Sequence, residues 1–148
     1  MRDDYSHLVG HRFPGGRVTI PDWLAWLWCD AVHSESLAPN VHPGLAYLAA
    51  VRGSGMTFQD IFDLADATAE SGPMFGEQTL HFERPLEIGR EYEVEGEITE
   101  VTRKHGRRAG TFDMLIFELR IREIGGDVVA SNVNTFIFPR GKGEEEGT

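Results

Sequence analysis

The hydrophobic period of this chain changes once, near residue 70, and that change constrains the fold more than any other feature. Before it, apolar residues recur at three- and four-residue spacing, which puts them on one face of a helix. After it they alternate, which puts them on one face of a strand. Helices followed by an uninterrupted run of strands indicate an α+β fold.

The helical half divides into three. Pro21 and Asp22 open a helix over residues 21–33, with proline in the first turn and a negative charge at the positive end of the dipole. Residues 34–40 form a loop. His42, Pro43 and Gly44 open a second helix that Ala46, Ala49 and Ala50 keep slim enough to lie buried, and it stops at Gly53-Ser54-Gly55. Thr57 caps a third helix, with Asp60 completing a capping box and Phe58, Ile61, Phe62, Leu64 and Ala65 as its apolar face.

The second half predicts at least four antiparallel strands. Residues 78–84 form the first, closed by Pro85. Tyr92, Val94 and Ile98 then alternate with Glu91, Glu93, Glu95 and Glu97, whose carboxylates must face water. Residues 104–108 make a hairpin connection. Leu115, Phe117, Leu119 and Ile121 follow on one face, and Gly125-Gly126 turns the chain into a last strand that Pro139 ends. The buried alanine-rich helix is the natural object for this meander to wrap.

A length of 148 residues is one domain, expected over 1–140. Residues 1–12 are weakly patterned and are expected to lie loosely over the surface, and 141–148 form an acidic tail without apolar groups. A formal net charge of −10 argues against nucleic acid or an anionic membrane as partner. One cysteine, Cys29, excludes an internal disulfide and any cysteine zinc cluster. No apolar run approaches a membrane span and no signal peptide is recognisable, so the expected location is the cytoplasm. Asp60, Asp63, Asp66 and Glu70 lack the partners of a metal site, and no phosphate loop or serine elbow is present, so neither metal nor cofactor is expected.

The order Arg84-Pro85-Leu86, Gly89, Tyr92, then the hairpin after Arg103, then Gly125-Gly126 and the closing Phe136-Ile137-Phe138-Pro139 resembles the MaoC-like acyl-thioester hydratases and dehydratases. The resemblance covers about residues 20–140. It implies the hot-dog fold, an antiparallel sheet wrapped around a central helix, and edge-paired homodimers. It implies ligands that are acyl thioesters of coenzyme A or of an acyl-carrier protein. In that family a loop of the form Gly-Asp-x-Asn-Pro-x-His precedes the central helix, and its Asp and His activate water for addition to an enoyl thioester or run the reverse elimination. Here the corresponding stretch, residues 30–44, carries His33-Ser34 where Gly-Asp is expected, and the Asn-Pro-x-His piece is missing or shortened, with Asn40-Val41-His42 a loose echo.

Such chemistry needs a base, an acid and a donor for the developing enolate oxygen. The catalytic candidates are His33, His42 and Asp30, with Glu35 as a further carboxylate. Gly44 and Leu45 are the substrate-binding candidates, because a helix start offers free N–H groups and glycine allows close approach. Each has an ordinary structural alternative: His42 as a loop or cap residue, His33 as a helix-end cation, Asp30 and Glu35 as solvated charges. Trp23, Trp26 and Trp28 would line an acyl tunnel or pack in the core. Arg84 would pair with an acid across a dimer, His81 would sit on the surface or a dimer contact, and Arg103, Lys104, Arg107 and Arg108 would hold phosphates or be solvated. Three functions stay open: a hydratase or dehydratase, a non-catalytic hot-dog subunit that pairs with a dyad-bearing chain, and a thioesterase.

Overall fold

The computed structural model describes residues 4–141. A short strand β1 (Gly16–Thr19) precedes helices α1 (Asp22–Ala31), α2 (Leu45–Gly53) and α3 (Phe58–Leu64). Strands β2 (Met74–Phe82), β3 (Glu91–Gly106), β4 (Gly110–Glu123) and β5 (Val128–Pro139) follow. They form one five-stranded sheet in the order β1-β3-β4-β5-β2, and every pairing is antiparallel.

α2 is the helix that the sheet wraps. Leu45, Ala46, Ala49, Ala50 and Gly53 are buried, and the small residues set how closely the helix approaches. A β-carbon on Gly53 would stand 2.4 Å from Val94 Cγ2, so only glycine fits where the end of α2 meets β3. The alternation of β3 sorts as the sequence requires: Tyr92, Val94 and Ile98 face the core. The glutamates on the other face meet arginines of β4. Glu95 bonds Arg120 and Arg122, and Glu97 bonds Arg120. The Thr57–Asp60 capping box of α3 is present in both directions.

Two expectations are corrected, and one strand is new. Of residues 1–12, expected to lie loosely on the surface, Tyr5 and Leu8 are buried in the core, as is Phe13 just beyond them; these three apolar anchors are too widely spaced to show a period. β1 had no sequence signal, because it is four residues long and only Val18 is half-buried. β2 starts at Met74, well before residue 78, because an irregularity between Phe75 and Glu77 interrupts the alternation at Gly76. Residues 142–148, most of the expected tail, lie outside the described residues.

Candidate functional site

The chain leading into α2 bridges to the segment that follows β2, Asn40 pairing with Glu87. Val41 N–H donates to the Leu86 carbonyl at 2.7 Å, four residues beyond the end of β2. The Tyr47 ring lies 5.7 Å from that of Phe75, near its start. Val41 and Tyr47 thus touch the chain beyond the end of β2 and near its start.

His42 is held by two donors. The Gly44 N–H reaches its Nδ1 at 3.0 Å and the indole N–H of Trp28 reaches the same atom at 3.2 Å. Both partners can only donate, so Nδ1 carries a lone pair and the neutral ring bears its proton on Nε2. Gly44 is glycine for a packing reason: a β-carbon there would lie 2.8 Å from Cζ2 of Trp28. Burial also pushes the Tyr47 phenol up from its ordinary pKa.

The other predicted residues are not brought to His42. Asp30 and His33 are exposed at the end of α1, joined only through the His33 N–H on the Asp30 carbonyl at 3.2 Å. His33 has left-handed backbone, φ 55°. Glu35 is exposed beyond it. Gly44 and Leu45 do not offer the amides expected of them. The Gly44 N–H is spent on the His42 ring, and the Leu45 N–H on the His42 carbonyl at 2.9 Å. Leu45 is fully buried.

The tryptophans separate. Trp28 packs on Gly44 and His42, whereas Trp23 and Trp26 are 60% and 66% exposed and line a cleft of about 450 Å³ between α1 and residues 36–40. Arg84 pairs with Glu123 of its own chain at 2.9 Å and is exposed. His81 is exposed and bonds Glu83 at 2.7 Å.

Sequence reasoning missed a polar feature on the inner sheet face. Gln78 Nε2 donates to Asn134 Oδ1 at 3.0 Å, and Asn134 Nδ2 donates to Asn132 Oδ1 at 2.8 Å. Asn132 and Asn134 are 1% and 0% exposed. The signal was present: both share the phase of Ala130, Phe136 and Phe138, the buried face of β5.

This architecture, a long antiparallel sheet curled around a small-residue helix, is the hot-dog fold. Solved structures with the same fold include a chain of the ChsH1-ChsH2 complex from Mycobacterium tuberculosis, at 12% identity over 95% of this chain and 90% of that one, with a TM-score of 0.72. A chain of the HadBC (3R-hydroxyacyl-ACP dehydratase) complex from the same organism superposes at TM-score 0.69, with 14% identity over 93% and 99% of the two chains. A MaoC-like dehydratase from Phytophthora capsici gives 0.65 at 12% identity, over 95% of this chain and 51% of that one. No protein-family model and no curated protein sequence matches the chain. None of the helices among the described residues is long and apolar enough to cross a membrane.

Proposed function

We propose that this chain binds an acyl thioester, of coenzyme A or of an acyl-carrier protein, as the dyad-lacking member of a MaoC-like hydratase/dehydratase pair. One observation carries this reading: Asp30 and His33 stand in solvent at the end of α1, while His42 turns its Nδ1 to Trp28 and Gly44. Hydration needs an acid and a base on the same ligand, and these residues do not converge on one. Two of the fold neighbours come from two-component complexes, ChsH1-ChsH2 and HadBC, and the edge strand β2 leaves a row of backbone groups to be paired by a second hot-dog chain.

The test is a pair of measurements on the purified chain. Binding of crotonyl-CoA is expected, followed by tryptophan fluorescence, with no hydration of it. Absence of acyl-CoA binding defeats the reading.

A second reading, a self-sufficient hydratase, has one observation in its favour. A half-buried neutral histidine with a fixed tautomer is arranged as a proton donor through Nε2. Hydration by the chain alone, abolished in His42→Ala, would establish it in place of the first.

A further inference from the structure

We propose that Asn132 donates a hydrogen bond from Nδ2 to the carbonyl oxygen of the bound thioester, an inference that rests on the thioester-binding reading above. Asn132 Nδ2 is buried and has no hydrogen-bond partner among the described residues. A buried donor left unpaired is destabilising, because it has given up its hydrogen bond to water. On β4 the neighbours in register are Leu119 beside Asn132 and Phe117 beside Asn134, so neither offers the Asn132 N–H an acceptor. The carboxamide therefore points to a group supplied from outside the chain.

The direction of the hydrogen-bond chain identifies that group as an acceptor. Gln78 donates to Asn134, and Asn134 donates to Asn132. Asn134 Nδ2 also reaches the Asn132 backbone carbonyl at 3.5 Å, an oxygen that only a donor approaches, and this orients the Asn134 amide. The Asn132 oxygen is consequently occupied and its N–H is the free terminus.

The location fits a thioester oxygen. Asn132 lies in register with Leu80 and Asn134 with Gln78. Asn132 is thus the member of the chain nearer the Leu86–Val41 end of β2, where His42 sits. The amides of Gly44 and Leu45, which would serve a carbonyl at a free helix start, are already used by His42. The inner-face residues Gln78, Leu80 and Phe82 of β2 are only half-buried. Gln78 and Asn134 are positioning residues that hold the Asn132 amide in one orientation.

Infrared difference spectra of crotonyl-CoA labelled with ¹³C at the thioester carbonyl test the assignment. In the wild-type complex the labelled band is expected below its position in an apolar solvent, because a hydrogen bond weakens the C=O bond. Asn132→Leu should return it to the apolar value and weaken binding roughly twofold to tenfold, the worth of one neutral hydrogen bond. Asn134→Leu should leave a broadened, intermediate band. Should Asn132→Leu not fold, Asn132→Ala deletes the N–H with less steric demand and should show the same loss. An identical band in wild type and variant overturns this inference while leaving thioester binding intact, and identifies the carboxamide as structural or water-bonded. Failure of the wild-type chain to bind the probe overturns both.

Discussion

The indole N–H of Trp28 and Nδ1 of His42 are hydrogen-bonded at 3.2 Å, joining α1 to the entrance of α2. Trp28→Phe retains an aromatic ring against Gly44 and deletes this donor. The expected cost is about 0.5–1.5 kcal/mol in a urea unfolding series. With only the Gly44 N–H left on Nδ1, the Nδ1–H form of His42 should become populated, which ¹⁵N shifts of the imidazole would register. An unchanged tautomer would show that Gly44 alone is sufficient.

Gly44→Ala should be destabilising by about 1–3 kcal/mol, because the new methyl group would stand 2.8 Å from the Trp28 ring and overpack the contact. Combining it with Trp28→Phe should recover part of the loss, since the smaller ring vacates the space. A double-mutant cycle in chemical denaturation measures the coupling, and strictly additive effects would place the strain elsewhere.

Trp23→Lys and Trp26→Lys should change stability by no more than about 0.5 kcal/mol, since both side chains are mostly in water. Trp28→Lys should be far more damaging. The three tryptophans look alike in the sequence, spaced 23, 26 and 28, yet only the last shares a helix face with Leu24, Ala25 and Cys29, which pack inward.

What the sequence disclosed follows the same logic. Strict alternation in β3, β4 and β5 and the alanine stripe of α2 are periodic, local signals, and they placed the sheet and its central helix correctly. Features that depend on contacts between distant segments were not legible. Tyr5, Leu8 and Phe13 enter the core without a period, and β1 exists because Tyr92 and Val94 lie alongside it. At the site, a helix start was expected to offer free amides, but the side chain of His42 folds back and occupies one of them, which spacing alone does not reveal. Asn132 and Asn134 were visible as an alternating pair on the Phe136 face; their burial depends on the phase of the whole strand.

Asp113 offers the clearest pH-dependent prediction. Its carboxylate is buried between Arg103, which approaches through Nε at 2.8 Å and Nη2 at 2.9 Å, and Arg140, whose Nε lies at 2.6 Å. Burial pushes its pKa up, but the hydrogen bonds and charges of the two arginines outweigh this and hold it below the ordinary 3.8. A carboxyl depressed in the folded state stabilises the fold fully above its unfolded value, and that stabilisation is lost as pH falls below 3.8 through the lower folded value. Asp113→Asn leaves the buried Arg140 guanidinium, which sits 4.3 Å over the Tyr5 ring, without its counter-charge. Removing one member of a buried pair costs about 3–5 kcal/mol. The stability gap between wild type and Asp113→Asn should therefore be constant from pH 5 to 8 and narrow below pH 4. Comparing the two proteins at each pH cancels the other depressed carboxyls, such as Glu95, held down by hydrogen bonds from Arg122 and Arg120. Urea midpoints at pH 7, 4 and 3 measure the gap, and one that stays constant down to pH 3 would show that Asp113 does not titrate with folding in that range.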